Sequence, residues 1–248
     1  MNDKARVALH AANMVDSGMC VGLGTGSTAD CFIEALARRH REDGLDVTTV
    51  ASSVVSSIKA QQLGLPLIAL EHVERLDLYV DGADEVAPDM TLLKGRGYDL
   101  VREKLLANAA ERFIVLIDRS KQVERIGKRF PIPVEVMPFA WRMVKHRLER
   151  LGGKPVLRKT ANNDGLVITS YGSLVLDTSF EPTLTIDSLV ERLDALPGVV
   201  EHGIFRRLAS SVLIGAEGAV SVMTGDANAM FDDWNEQELF DDGTADGD

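Results

Sequence analysis

The sequence is poor in the residues that mark secreted, membrane and metal-clustered proteins. It has two cysteines in 248 residues, Cys20 and Cys31, both in apolar segments. Two thiols do not make the framework that staples a small secreted domain, so both read as reduced core residues of a cytoplasmic protein. No apolar run approaches the ~20 residues needed to cross a bilayer, and no membrane partner is expected. The opening stretch MNDKARVALHAANMVDSG lacks the apolar segment of a secretory signal and reads as an amphipathic helix ending at Gly18. The five histidines, His10, His40, His72, His146 and His202, lie outside every glycine- or carboxylate-rich motif, which leaves a histidine-bearing metal site without support. A basic footprint is also missing. The net charge is −11, and residues 226–248 hold nine acids with no Lys or Arg; setting those nine aside leaves −2 for the rest. A nearly neutral body argues against a nucleic-acid partner. The acidic stretch reads as a solvated, mobile tail, with Phe231, Trp234 and Phe240 available for partial docking.

At 45% hydrophobic and 26% charged, the chain can fill one or two ordinary globular cores. Its first half alternates strand and helix signals. Strands are expected at Met19–Gly24, Asp46–Ala51, Pro66–Leu70, Leu76–Val80 and Arg112–Ile117. Helices are expected at Ser27–His40, Val54–Leu63 and Leu100–Ala110. That rhythm predicts a parallel sheet covered by helices. The middle changes to strand Pro131–Val136, helix Phe139–Leu151, strands Pro155–Arg158 and Leu166–Ser170, helix Ile186–Leu196 and strand Val199–Phe205. The order β-α-β-β-α-β is that of a ferredoxin-like unit. Strands Ser211–Gly215 and Ala219–Met223 then return to the first sheet. The expected fold class is therefore α/β: a Rossmann-like parallel-sheet domain (1–128, completed by 206–225) with an inserted ferredoxin-like α+β domain (129–205), followed by the tail.

Four constellations carry chemistry. Gly22-Leu23-Gly24-Thr25-Gly26-Ser27-Thr28 follows a strand and opens a helix. Glycines let backbone approach a ligand, and a helix N-terminus offers free N–H groups to a phosphate. A nicotinamide site wants G-x-G-x-x-G and an acid ending the next strand, whereas that strand here ends at Ala51-Ser52-Ser53. A small phosphoester is preferred, the alternative being a structural turn with Ser27 as helix cap. Asp81-Gly82-Ala83-Asp84-Glu85 follows the next strand, at the edge where open α/β sheets bind ligands. Repulsion and burial among three carboxylates can raise a pKa and suit them to proton shuttling. A carboxylate-only magnesium site and helix-capping acids are the competing readings. Lys94-Gly95-Arg96-Gly97 precedes a helix bearing Arg102-Glu103-Lys104, and the spacing lets Glu103 face the same pocket as Lys94. An ammonium there would meet charge developing on an enediolate oxygen, and the helix dipole would hold Glu103 ionised. The plain alternative is an exposed Glu103 paired with Arg102 or Lys104. Lastly, Asp118-Arg119-Ser120-Lys121 ends another strand and delivers a lysine able to hold phosphate, or an ordinary solvated one.

In combination these residues resemble the ribose-5-phosphate isomerases of the A type. The matching stretches are VGLGTGSTA, YVDGADEV, LLKGRG, VREKLLA, RFIVLIDRSKQVERIGKRFPIPVEVMP, LGGKPVLR and LPGVVEHGIF, in order from about Ala11 to Met223. The resemblance implies interconversion of ribose 5-phosphate and ribulose 5-phosphate through an enediol, in the non-oxidative pentose phosphate branch, without metal or other cofactor, in a homodimer or dimer of dimers. It implies that Glu103 moves the proton between C1 and C2, that Asp81 and Asp84 handle hydroxyls, and that Lys94 stabilises the enediolate. It further implies that Thr25, Gly26, Ser27, Thr28, Gly82, Ala83, Gly95, Arg96, Gly97 and Lys121 bind substrate. The chain departs from the family loop, usually K-G-G-G with small residues and then L-T-R-E-K: Arg96, Tyr98, Asp99 and Val101 stand in other residues' places, Asp99 as an expected helix cap. Ser52–Ser57 also lacks the acid often found there. Two other readings are a sugar-phosphate sensor, which would dispense with the proton-transfer set, and a CoA transferase, which would need a nucleophilic Glu.

Overall fold

The computed structural model describes residues 2–225; the acidic tail expected at 226–248 lies outside the described residues. The chain begins α1 (Asp3–Ala12), β1 (Cys20–Leu23), α2 (Ser27–Glu42), β2 (Thr48–Ala51), α3 (Val54–Gln62) and β3 (Leu78–Gly82). It continues β4 (Glu85–Val86), β5 (Leu92–Leu93), α4 (Leu100–Ala109) and β6 (Phe113–Asp118). After a long excursion, β12 (Ser211–Ala216) and β13 (Ala219–Thr224) complete a six-stranded sheet in the order β13-β12-β6-β3-β1-β2, parallel except for β13.

Successive strand side chains point to opposite faces, and that alternation builds two cores on one sheet. Leu78, Val80, Ile114, Leu116 and Leu213 pack with α1 and α2. Tyr79, Phe113, Val115, Ile117 and Val212 pack with α4 on the other face. After β1 the chain runs through α2 to β2 on one side of β1, then returns to β3 on the other. Such a switch point opens a crevice beyond the carboxyl ends of β1 and β3, where both the Gly24–Thr28 loop and Asp81 fall.

The excursion between β6 and β12 runs β7 (Ile132–Val136), α5 (Trp141–Arg150), β8 (Gly153–Leu157), β9 (Leu174–Phe180), α6 (Ile186–Asp194) and β10 (Val199–His202). Its antiparallel sheet has the order β10-β7-β9-β8, the ferredoxin-like arrangement. Val144, Leu148, Leu189 and Leu193 of the helices cover one face through Val134, Val136, Leu174 and Leu176. β11 (Ile204–Phe205) leaves the excursion to pair with β5, which pairs with β4. Together with β12 and β13, these sheets fulfil the expected Rossmann-like and ferredoxin-like architecture.

Several boundaries differ from those the sequence suggests. The first helix stops at Ala12, not Gly18. Pro66–Leu70 forms no strand: Leu67 makes one bridge to Thr49, and Leu70–His72 is a 3₁₀ turn. Leu166–Ser170 makes only isolated bridges, and the partner of β8 is Leu174–Phe180. Val199–Phe205 breaks at Gly203, whose N–H donates to the Pro133 carbonyl at 2.8 Å. Among the described residues, no helix is long and apolar enough to cross a membrane.

Candidate active site

The loop after β1 must pass close to β3, and glycine makes this possible. A Cβ on residue 24 would lie 2.2 Å from Asp81 Oδ1. Gly24 N–H donates to the Val80 carbonyl at 2.9 Å. Gly26, at φ +105°, is the N-cap of α2 and supplies no side-chain cap, so the helix opens with amides available to an anion. Ser27 is thus not the cap; its Oγ accepts from Lys4 Nζ at 2.8 Å. The Thr25 hydroxyl is engaged with Ser52 at 2.8 Å and Ser53 at 2.7 Å, so it locks the loop to the end of β2. Lys121 arrives from the 3₁₀ turn after β6. Lys4 and Lys121 both line the cavity beside Ser27 and Thr28 and give that end two ammonium groups.

The three carboxylates after β3 have three separate positions. Asp81 is fully buried. Its Oδ1 accepts from Thr25 N–H at 3.0 Å and Gly82 N–H at 2.7 Å, and its Oδ2 from Tyr79 O–H at 2.5 Å and Lys94 Nζ at 2.7 Å. Glu85 is also fully buried and accepts from the backbone N–H groups of Gly127, Arg129 and Phe130, so it ties down the segment before β7. Only Asp84 reaches the cavity wall. Burial pushes its pKa up, against the opposing pull of Lys94, Arg96 and Lys121.

Lys94 follows β5 and carries its ammonium to Asp81 Oδ2, to the Gly82 carbonyl at 2.8 Å and to Glu103 Oε2 at 3.3 Å. Burial disfavours this charge, but Asp81 and Glu103 outweigh it and hold the pKa above the ordinary lysine value. Glu103, in the first turn of α4, is pushed up to about 7, chiefly by burial and also by Asp81, with Lys94 opposing. The expectation that the helix dipole keeps Glu103 ionised is therefore corrected: desolvation dominates. The Lys94 ammonium, at 3.3 Å, is the charge partner of Oε2, which has no better-formed hydrogen bond among the described residues. Lys104, read as a possible partner for Glu103, instead binds Glu201 Oε1 at 2.5 Å on the far side of α4.

These groups enclose a cavity of about 280 Å³. Every residue that the family resemblance assigns to catalysis or substrate binding lines it except Asp81, which sits behind Lys94; Glu85 of the same motif does not line it either. Gly82, Ala83, Gly95 and Gly97 contribute wall backbone. Arg96 is half exposed, with its guanidinium 3.9 Å from the Phe130 ring centroid and 3.9 Å from Asp84 Oδ1, an acid-paired and stacked side chain. Asp99 makes no side-chain cap for α4; its Oδ1 accepts from Ser170 Oγ at 2.6 Å. Lys4 was not legible as a site residue, because only the packing of α1 against α2 brings it to Ser27. One grouping among the described residues has metal-ligand chemistry, Asp194, Glu201 and His202. It lies apart from the cavity, and the Lys104 ammonium already sits on Glu201.

Comparison with known proteins gives a consistent likeness. The family described as Ribose 5-phosphate isomerase A (phosphoriboisomerase A) matches residues 48–219. The chain is 44% identical over 213 residues to the ribose-5-phosphate isomerase A of Thermosynechococcus vestitus, covering 86% of this chain and 90% of that one. Among solved structures, ribose 5-phosphate isomerase A from Methanocaldococcus jannaschii superposes with a TM-score of 0.85 at 38% identity, covering 90% of this chain and 98% of the other. A D-ribose-5-phosphate isomerase in complex with phospho-erythronic acid gives a TM-score of 0.86 at 35% identity, covering 90% and 100%.

Proposed function

The chain belongs to the ribose 5-phosphate isomerase A family, and from that membership and the cavity's chemistry we propose that it interconverts D-ribose 5-phosphate and D-ribulose 5-phosphate through an enediolate. The observation that carries the reading is Glu103: a buried carboxylate on the cavity wall, 3.3 Å from the Lys94 ammonium, with its pKa pushed up to about 7 by burial. A general base works best when its pKa lies near the operating pH.

In the aldose-to-ketose direction, the Glu103 carboxylate removes the proton from C2 of the open-chain sugar. The C–H electron pair forms the C1–C2 double bond, and the carbonyl pair moves onto O1. Lys94 faces that oxyanion with a charge that needs no reorganisation. Glu103 then returns its proton to C1 as O2 becomes the carbonyl, and the hydroxyl proton lost from O2 passes to O1. We assign that exchange to Asp84, because Asp81 already accepts four hydrogen bonds and anchors Lys94. The α2 N-terminus, Ser27, Thr28, Lys4 and Lys121 take the phosphate. A relative binds phospho-erythronic acid, whose planar carboxylate resembles an enediolate in shape and charge; the same class of ligand suits this cavity.

Residues 1–128 with 206–225 are assigned as the catalytic unit and 129–205 as the inserted unit. We read the location as cytoplasmic from the two-cysteine composition, and the assembly as a homodimer or dimer of dimers from the family resemblance. The chemistry is assigned to side chains alone. Enzyme dialysed exhaustively against EDTA is expected to convert ribose 5-phosphate at an undiminished rate in a coupled assay. Loss restored by Mg²⁺ or Zn²⁺ would overturn the metal-free mechanism, and no conversion in either state would overturn the substrate assignment.

A further inference from the structure

The helix-free face of the four-stranded sheet is turned toward the loop that carries Lys94. On β8, Leu157 packs toward α5 and α6, so Val156 and the following Arg158 share the opposite face. Asp177 pairs with Val156 across the β8–β9 ladder, which makes it the diagonal neighbour of Arg158 on that face. The Arg158 guanidinium meets Asp177 with two donors, Nε at 2.9 Å and Nη2 at 2.5 Å. Its Nη1 donates to the carbonyls of both Gly95 and Gly97, each at 2.9 Å. The side chain is 12% exposed and does not line the cavity.

Those two carbonyls flank Arg96 and directly follow Lys94. Gly95 sits at φ +89°, so this stretch is neither helix nor strand and takes its shape from what holds it. We propose that Arg158 is a positioning residue: locked by Asp177, it fixes the Gly95–Gly97 backbone and thereby sets the Lys94 ammonium against the reacting oxygens. A planar guanidinium can grip a carboxylate on one edge and two carbonyls on another, whereas a lysine ammonium is a single point charge. The motif LGGKPVLR, which supplies no cavity residue, gains a reason to end in arginine.

The proposal rests on the assignment of Lys94 to the enediolate, and Lys94→Met serves as its control. The test compares Arg158→Ala and Arg158→Lys with wild type by steady-state kinetics, inhibition by inorganic phosphate, and hydrogen–deuterium exchange. Arg158→Ala is expected to lower kcat/KM for ribose 5-phosphate by about 10²-fold, the scale of an ångström-sized misplacement. Phosphate inhibition stays at the wild-type level, and faster exchange is confined to peptides spanning residues 94–99. Arg158→Lys restores stability but not kcat/KM; should the alanine variant fail to fold, the lysine variant carries the test. Activity within about threefold of wild type in the folded variant overturns the proposal. So does a loss shared equally with phosphate inhibition, or exchange raised throughout 132–202, since either marks general structural support. If Lys94→Met remains active, the Lys94 assignment itself fails; if it is inactive while Arg158→Ala is normal, only the Arg158 proposal does.

Discussion

At the scale of single residues, two buried carboxylates share one buried ammonium, and burial pushes the pKa of one of them, Glu103, up to about 7. Asp81 takes four donors, including Lys94, whereas Glu103 meets the same ammonium at 3.3 Å. Asp81 therefore stabilises the Lys94 charge and at the same time makes Glu103 harder to ionise. The sequence shows three acids in DGADE and one in REK but not this division of labour, because burial and donor count arise only on folding. Glu85 illustrates the point: within the motif it resembles Asp84, yet it serves the backbone of 127–130. A protonated Glu103 cannot accept a carbon-bound proton, so kcat/KM should fall as pH drops through about 7. Glu103→Gln should cut turnover by about 10²-fold or more and abolish that acid limb. A pH profile of kcat/KM checks both; a wild-type profile flat through neutrality would remove Glu103 as the titrating base.

At the scale of elements, the glycine-loop-to-helix unit is legible because its residues carry their own geometry. The hairpin of the insert is not. GLVITS and SLVLDTSF are both short apolar runs with β-branched residues, so local propensity does not rank them. Pairing does: Leu174–Phe180 lies between β7 and β8 with Leu174 and Leu176 in the helix-covered core, while Ile168 is exposed. β4 and β5, two residues each, are too short to leave a periodic signal. The close pass of the β1 loop over β3 yields a sharp expectation. Gly24→Ala must push Asp81 aside, since its Cβ would fall 2.2 Å from Oδ1. Overpacking of this kind costs about 1–3 kcal/mol, and here it also displaces the anchor of Lys94. Thermal unfolding should show a lower Tm, and kcat should fall by more than about tenfold, or 1.4 kcal/mol of barrier. Unchanged stability and turnover would mean that the Gly24–Asp81 contact does not hold the site together.

At the scale of the whole molecule, the site is assembled from segments far apart in sequence. Asp81 and the Gly24–Thr28 loop meet at the switch point of the large sheet. Lys94 is braced by the insert, its N–H donating to the Gly203 carbonyl at 2.9 Å. Lys4 and Lys121 reach the end of the cavity proposed to take phosphate from α1 and from the turn after β6. The alternating strand and helix signals made the two-part architecture legible, whereas long-range contacts such as Lys4–Ser27 and Arg158–Gly95 leave no local trace. The central claim is that one carboxylate, Glu103, carries a proton between two carbons beside a charged lysine. It is tested most directly by running the reaction in deuterated water and following deuterium at C2 of ribose 5-phosphate and C1 of ribulose 5-phosphate by NMR. The wild type should place solvent deuterium at both carbons, and Glu103→Gln should place it at neither while still being inhibited by inorganic phosphate. Wild-type interconversion with no deuterium gained, together with undiminished turnover in Glu103→Gln, would contradict the account.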